Sequence, residues 1–412
     1  MLNVQVNRDR LWQSLMDLAR IGATEKGGVR RLALSELDGE GRALVCRWFR
    51  EAGLEVTVDR IGNIFARREG ADPSLPPIVS GSHIDTQPSG GKFDGNYGVM
   101  AALEVARTLN EAQLRTRAPY EVAIWTNEEG TRFTPVMMGS GVFAGAFELE
   151  YALAQRDLDG CSVQEALQRI GYAGDAQVGG RSFGAYYEAH IEQGPVLEEM
   201  GHTVGVVTGA LGLRWYDLVL TGQDSHAGPT PMRLRKDALL GAARIIEGVN
   251  RIALNGQPDA RATVGFMQVS PNSRNVVPGT VRMSVDMRHP RDEGLDAMEA
   301  AMRALADNVA AEIGLGADVT RVTSYAPVRF DEECVSAVRD AARKFGYRHS
   351  DIVSGAGHDA CYVARVAPTG MIFVPCEGGI SHNEIENAKP EDLEAGCNVL
   401  LHAVLATAGI RA

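Results

Sequence analysis

The sequence lacks a cysteine pairing signature and has a deficit of positive charge. Its six cysteines include no CxxC pair. In a long chain without an N-terminal secretion signal, this pattern favours reduced thiols and a cytoplasmic location over a disulfide framework. Acidic residues outnumber basic residues by 53 to 41, which gives a formal net charge of −12. This excess of negative charge argues against nucleic acid and anionic membranes as partners.

Long apolar runs are also missing, although 45% of the residues are hydrophobic. No stretch is long enough to cross a bilayer, so the composition predicts a globular protein outside the membrane. A chain of 412 residues is too long for one ordinary hydrophobic core. Two or three domains are therefore expected.

The first half of the chain alternates between helical and strand patterns. This alternation predicts an α/β fold, with a mainly parallel sheet covered by helices. In such sheets, functional sites form beyond the carboxyl ends of the strands. The helical patterns cover 7–22, 43–49 and 97–112, and the strand patterns cover 54–58, 77–79 and 120–126.

The middle of the chain has a different rhythm, β-α-β-β-α-β, which is typical of a ferredoxin-like α+β unit. We therefore predict a catalytic domain formed by 1–211 and 328–412, with a separate domain, 212–327, inserted into it. The six predicted elements of the insertion are 215–220, 234–252, 262–269, 280–288, 293–313 and 319–324.

Five side chains with metal-binding chemistry lie near ends of predicted strands, each with glycine nearby. Taken singly, each has a plainer interpretation as a surface or structural residue. Together, imidazoles and carboxylates form a ligand set that suits a pair of zinc-like ions. Two such ions can activate water at neutral pH, which predicts a two-metal hydrolase. The five residues are His83, Asp94, Glu129, His190 and His382.

Two further acids lie next to these ligands. Asp85 is two residues after His83, so on a strand both side chains would point to one side. Its carboxylate could then accept a hydrogen bond from the His83 ring nitrogen that does not face the metal. Glu128 and Glu129 are adjacent, so one should bind metal while the other faces the water as general base. The alternative for this pair is a solvated acidic loop.

The inserted segment has its own polar cluster. His226 lies in a Gly/Pro-rich turn, where it could donate a hydrogen bond over a separate site. Arg288 could hold a substrate carboxylate with a bidentate fork, and Asn275 could donate to the same group or to a ureido oxygen. The alternatives are a surface ion pair for Arg288 and an ordinary loop residue for His226.

Over essentially its whole length, the chain resembles the amidase, hydantoinase and carbamoylase branch of the M20 metallopeptidase clan. That branch contains N-carbamoyl-L-amino acid hydrolases, β-ureidopropionases and allantoate amidohydrolases. Seven sequence blocks in the expected order support the resemblance: GSHIDTQPSGGKFDGNYGV, WTNEEGTRF, EAHIEQGPVLE, HAGPTPMRLRKDA, NVVPG, SGAGHDA and FVPCEGGISHNE.

The resemblance implies a role for each residue. Two divalent ions are expected per subunit, zinc first, with manganese, cobalt or nickel as alternatives. His83 and His190 would bind one ion and Glu129 and His382 the other, with Asp94 bridging them. The catalytic residues would be Glu128 as general base, Asp85 as its support and His226 as an oxyanion donor. Substrate contacts would come from Gln193, His226, Asn275, Arg288 and the backbone of Gly357.

The resemblance also implies a homodimer formed through the inserted lid domain, with His226 reaching the partner's site. The expected substrate is a small molecule with a ureido or amide carbon near a carboxylate. N-carbamoyl-L-amino acids or N-carbamoyl-β-alanine are favoured over allantoate, because the stretch around Arg214 and Trp215 looks more like carbamoylases. An aminoacylase- or dipeptidase-like enzyme is a rival, and His190 in place of a carboxylate argues against it. A non-catalytic binding protein and a serine hydrolase are the remaining alternatives.

Overall fold

The computed structural model describes residues 4–256 and 259–411. The helices are α1 Arg8–Ala19, α2 Glu36–Glu51, α3 Asn96–Glu111, α4 Met138–Phe143, α5 Leu149–Ala154, α6 Val163–Ile170, α7 Val196–Met200, α8 Ala238–Leu254, α9 Asp292–Ile313, α10 Glu332–Lys344, α11 Asp359–Val363 and α12 Pro390–Ala408, with 3-10 turns at Met232–Leu234 and Glu377–Gly379. Among the described residues, no helix is both long and apolar enough to span a membrane.

The strands are β1 Glu55–Val58, β2 Ile64–Arg68, β3 Ile78–His83, β4 Tyr120–Trp125, β5 Ala185–Ile191, β6 Val204–Ala210, β7 Gly212–Thr221, β8 Ser225–His226, β9 Arg261–Ser270, β10 Val276–Val277, β11 Thr280–His289, β12 Gly316–Tyr325, β13 Val328–Arg329, β14 His349–Ser354 and β15 Thr369–Val374. The chain divides into two compact units. Unit 1 comprises the residues up to Thr208 and those from Arg329 onward, and unit 2 is Gly209–Val328.

The main sheet has the strand order β1-β2-β4-β3-β5-β15-β6-β13, with β14 paired to β6. Its centre is parallel, because β3 pairs in parallel with β4 and β5, and β5 pairs in parallel with β15. The neighbouring β2 and β6 are antiparallel to this centre. The predicted mainly parallel α/β fold is confirmed. The parallel arrangement sends the carboxyl ends of β3, β4, β5 and β15 to one edge.

Local sequence signals explain where several helices begin. The side chain of Asn7 accepts a hydrogen bond from the Arg10 amide and so caps α1. Ser35 caps α2 in the same way. At α6, Ser162 and Glu165 form a reciprocal capping box. These caps satisfy amides that have no partner inside the helix.

Unit 2 contains a four-stranded antiparallel sheet in the order β12-β7-β11-β9, with α8 and α9 between its strands in sequence. This is the predicted ferredoxin-like arrangement. Alternate residues of β7 and β11 are buried, and they pack with α8 and α9 around Leu218, Ile245, Val285 and Met302. Unit 2 therefore has a hydrophobic core of its own, as an independently packed domain requires.

Candidate active site

Five predicted ligands of unit 1 come together at the carboxyl edge of the parallel strands. His83 is the last residue of β3, and His190 lies one residue before the end of β5. Glu129 lies in the loop after β4, and His382 lies in the loop after β15. Asp94 lies in the loop between β3 and α3. Sequence positions from 83 to 382 therefore converge because parallel strands end at the same edge.

The ligand atoms form two groups that share Asp94. One group is His83, Asp94 and His190, and the other is Asp94, Glu129 and His382; within each, the candidate ligand atoms lie within 4.8 Å of one another. Asp94 Oδ1 is 3.7 Å from His83 Nε2 and 3.2 Å from His190 Nε2. Asp94 Oδ2 is 3.3 Å from His382 Nε2. The two oxygens of one carboxylate thus face two separate ligand sets.

This donor set fits a pair of divalent ions. Nitrogen and oxygen atoms that lie within 4.8 Å of one another suit zinc and its neighbours in the transition series. The remaining ring nitrogen of His190 is hydrogen-bonded to the Ile191 carbonyl at 2.8 Å. Burial also lowers the pKa of His83 to about 4. Because a neutral imidazole has a lone pair to give, this shift favours metal binding.

The two groups differ in exposure. His83 and His190 are buried, whereas the His382 side chain is 51% exposed. His382 and Gln193 also have positive φ angles of 53° and 58°. Such backbone conformations are unfavourable for residues with a side chain and concentrate at functional sites.

Glu128 lies beside the first group, with Oε2 3.6 Å from His83 Nε2. Burial, followed by the neighbouring carboxylates of Asp359 and Glu129, raises the pKa of Glu128 well above its usual value. The adjacent Glu129 faces the second group, 3.5 Å from His382 Nε2, and accepts a hydrogen bond from Gln87. The carboxylates of the two adjacent acids therefore face different ligand groups.

The predicted hydrogen bond between the Asp85 carboxylate and the His83 ring is wrong. His83 Nδ1 is hydrogen-bonded to the main-chain carbonyl of Asp85 at 2.9 Å, and the carboxylate is 3.8 Å away. The physical reason is that β3 ends at His83, so strand alternation does not extend to Asp85. The Asp85 carboxylate instead accepts hydrogen bonds from the main-chain N–H groups of Glu128 and Glu129, at 3.3 and 3.2 Å.

Two other predicted residues of unit 1 lie near this site. Gln193 Nε2 donates to Asp94 Oδ2 at 2.9 Å and is 3.5 Å from His382 Nε2. Gly357 lies against Met137: a Cβ added at this glycine would be 3.0 Å from the Met137 methyl. A side chain at Gly357 would therefore require the flexible end of Met137 to shift by a few tenths of an ångström.

Within unit 2, His226 and Asn275 are neighbours at the two-stranded sheet of β8 and β10, whereas Arg288 lies on β11 of the four-stranded sheet. β8 and β10 pair His226 with Val276, and the Ala227 amide donates to the Asn275 carbonyl. Arg288 forks onto Asp286, with Nε–Oδ1 at 3.1 Å and Nη2–Oδ2 at 3.0 Å. The position of Arg288 two residues after Asp286 on β11 places both on one face of the sheet.

The sequence reasoning missed buried residues that support the ligands. Glu386 accepts hydrogen bonds from the amides of Phe93 and Asp94. The ring of His358 packs edge-on against His190, with centroids 4.6 Å apart. Both lie in or beside sequence blocks that had been recognised, but an isolated Glu or His does not differ in sequence from a surface residue. Only their contacts identify them.

A parallel-sheet domain with imidazole and carboxylate groups gathered at its carboxyl edge has an architecture that suits a metal-dependent hydrolase. Peptidase family M20/M25/M40 matches residues 79–406. The chain belongs to this family.

Several relatives match nearly the whole length of the chain. It is 51% identical to the N-carbamoyl-L-amino-acid amidohydrolase of Rhizobium meliloti, over 99% of this chain and 98% of the relative. It is 39% identical to the enzyme of that name from Geobacillus stearothermophilus, over 97% and 98% of the two chains. The allantoate amidohydrolase of Bacillus subtilis is 37% identical over 93% of each chain. These matches confirm the resemblance inferred from the sequence blocks.

A solved structure is similar throughout. An amidase of the hydantoinase/carbamoylase family from Burkholderia multivorans has 59% sequence identity and a TM-score of 0.97, over 99% of both chains. Identity at this level extends the likeness from the fold to the branch of the family.

Proposed function

We propose that this protein hydrolyses the carbamoyl C–N bond of N-carbamoyl-L-amino acids or N-carbamoyl-β-alanine, releasing the amino acid, carbon dioxide and ammonia. One observation above all supports this: Asp94 offers its two oxygens to two ligand groups, with Glu128 beside the first. The 51% identity to an N-carbamoyl-L-amino-acid amidohydrolase supports the choice of substrate class.

The cofactor would be two divalent ions, zinc first, with manganese, cobalt or nickel as alternatives. His83, Asp94 and His190 would hold one, and Asp94, Glu129 and His382 the other. When bound, the ions would supply Lewis-acid chemistry and favour ionisation of water near neutral pH.

Glu128 would move the protons. As a buried carboxylate, it would take a proton from the attacking water and return it to the departing nitrogen. Beside two bound cations this carboxylate would be ionised and free to take the proton, which it would then carry to the nitrogen. Asp85 would fix the main chain of Glu128 through the amide hydrogen bond, so that the carboxylate keeps its place. Asp85 would thus act through Glu128.

Five further residues would contact the substrate. In unit 1, Gln193 and the backbone of Gly357 would line the site. In unit 2, Arg288 would bind the substrate carboxylate with its planar fork. Asn275 would donate to the same group or to the ureido oxygen, and His226 would stabilise the oxyanion that forms on attack, a contribution of about 3–4 kcal/mol per donor.

The inserted domain, 212–327, would act as the lid and form a homodimer in which His226 serves the partner subunit's site. Mixing two inactive variants, Glu128→Gln and His226→Ala, tests this arrangement. If His226 acts across the interface, exchanged subunits recover roughly a quarter of wild-type activity, because half of the dimers hold one complete site. If no activity is recovered after subunit exchange has been verified, the trans arrangement is contradicted.

Allantoate hydrolysis is the second candidate, supported by the allantoate amidohydrolase of Bacillus subtilis at 37% identity. The deciding experiment measures ammonia release from N-carbamoyl-L-amino acids, N-carbamoyl-β-alanine and allantoate after chelation and restoration with Zn²⁺ or Mn²⁺. An N-acetyl amino acid and a dipeptide test the aminoacylase or dipeptidase alternative. Binding without turnover of any substrate would favour a non-catalytic protein.

A cytoplasmic location is supported by six cysteines that are all free.

A further inference from the structure

The loops that bear Asp94 and His382 are joined by one buried carboxylate, that of Glu386. This residue is 2% exposed. Its Oε1 accepts the main-chain N–H of Phe93 at 2.9 Å and that of Asp94 at 3.1 Å. Its Oε2 accepts the Ser381 hydroxyl at 2.9 Å. The same side chain thus bonds to the loop before α3 and to the loop after β15.

Ser381 extends this connection to the side chain of the bridging ligand. Its Oγ is 3.2 Å from Asp94 Oδ2, and Gln193 Nε2 donates to the same hydroxyl at 3.1 Å. Ser381 directly precedes His382, whose backbone has a positive φ of 53°. The backbone conformation that directs His382 toward Asp94 therefore directly follows Ser381, whose hydroxyl is hydrogen-bonded to Glu386.

The space around the carboxylate is closely fitted. A Cβ added at Gly91 would lie 2.0 Å from Glu386 Oε1, so any larger residue there would displace the carboxylate. Chain folding alone does not require a buried acid at this point. Burying an ionised carboxylate costs free energy unless several hydrogen-bond donors compensate. Three donors do so here, and two of them lie beside metal ligands.

We propose that Glu386 is a positioning residue that sets the relative placement of Asp94 and His382, and so the affinity for the ion held by Asp94, Glu129 and His382. The proposal rests on the metal centre proposed above. Groups that orient metal ligands without touching the metal typically change metal affinity by about 10–100-fold when they are removed.

The test is a Zn²⁺ titration of the chelated protein against a competing fluorescent chelator, which reports stoichiometry and affinity without substrate. Glu386→Ala is expected to lower the affinity for one of the two ions by at least about tenfold. His382→Ala, which removes a ligand of that ion alone, provides the reference for its loss. Glu386→Gln is expected to stay within about threefold of wild type, because its amide oxygen can accept the two N–H groups while its NH₂ donates to Ser381.

Glu121→Ala is the matched control for loss of a buried, bonded carboxylate. Glu121 is 1% exposed and pairs with Arg67 and Arg181 at the start of β4. This variant is expected to lower the melting temperature and leave both Zn²⁺ affinities unchanged. The proposal is overturned if folded Glu386→Ala binds both ions as wild type does, or if Glu386→Gln is as impaired as the alanine variant.

If Glu386→Ala does not fold, Ser381→Ala provides the test. This variant removes the hydroxyl that donates to Glu386 Oε2 and keeps the Glu386 carboxylate. Weaker binding of one ion supports the proposal, and wild-type affinity for both overturns it. A wild-type protein that binds fewer than two ions overturns both this proposal and the metal centre. Two ions bound without ammonia release would overturn the proposed reaction alone.

Discussion

At the residue scale, Glu128 and its neighbour Glu129 have the same chemistry and different surroundings. Glu128 lies 3.6 Å from His83 and Glu129 lies 3.5 Å from His382. Both are buried, and burial raises the pKa of each well above its usual value. Replacing each glutamate by glutamine, its isosteric amide, should therefore affect activity and metal content differently.

Glu128→Gln should reduce kcat by at least about 10²–10⁴-fold, the usual range for a general base, while Zn²⁺ content stays at the wild-type value. The reason is that glutamine keeps the shape but cannot take a proton. Metal analysis and ammonia release measure the two quantities. Glu129→Gln is the control and should lose metal as well as activity. Near-normal turnover by Glu128→Gln would assign the base elsewhere.

Arg288 makes a second prediction for a single side chain. Its replacement by alanine should raise KM with little change in kcat, because a carboxylate clamp acts in the ground state and the transition state alike. Arg282, on the same face of β11, provides the control, and Arg282→Ala should leave KM unchanged. Unaltered saturation kinetics for Arg288→Ala would remove this residue from the substrate site.

At the scale of elements, the turn from β3 into α3 depends on Gly95. This glycine has φ +65°, and a Cβ on it would lie 2.3 Å from the His83 ring. The main-chain N–H of Gly95 also donates to His190 Nε2 at 3.1 Å. The turn thus touches both histidines of the first ligand group, and it leaves no room for a side chain.

Gly95→Ala should weaken binding of the ion held by His83 and His190, in addition to lowering stability. Gly53→Ala separates the two effects, because Gly53 also has a positive φ of 76° but has nothing within 4 Å of the added Cβ. That control should cost about 1 kcal/mol of unfolding free energy through backbone strain alone. Zn²⁺ titration and thermal melts measure both variants; equal metal affinities in the two would contradict the prediction.

At the scale of the whole molecule, stability should depend on pH through Asp59. Burial raises the pKa of this carboxyl to about 7 from 3.8. Between these values the folded protein holds a proton that the unfolded chain has released. The unfolding free energy should therefore be highest at low pH in this window and fall as pH rises, by up to about 1.4 kcal/mol per pH unit.

Urea unfolding of unit 1 at several pH values between about 4 and 7 checks this dependence. Asp59→Asn should make the profile less steep, because the amide stays neutral at every pH, while other buried carboxyls with raised pKa values, Asp85 and Glu386, still contribute. Asp9, whose side chain is 92% exposed, provides a control, and Asp9→Asn should leave the slope unchanged. A wild-type slope in Asp59→Asn would show that the carboxyl is ionised in the folded state.

The sequence by itself determined the element types, the family and the five candidate ligands. Periodicity and caps depend on local geometry, so the helix predicted over 97–112 appears at Asn96–Glu111 and the strand over 120–126 at Tyr120–Trp125. The βαββαβ order of unit 2 followed from the same local signals. Ligand chemistry was visible because His, Asp and Glu at strand ends are distinctive as a set.

Only the tertiary structure decided which partner each side chain meets. Asp85 accepts hydrogen bonds from the amides of Glu128 and Glu129, because β3 ends before Asp85 and β4, the next strand in sequence, pairs in parallel with β3. Glu386 bonds to Asp94 across 292 positions of sequence. Such contacts are set by how parallel strands and their loops meet at one edge, and the spacing of residues along the chain does not encode them.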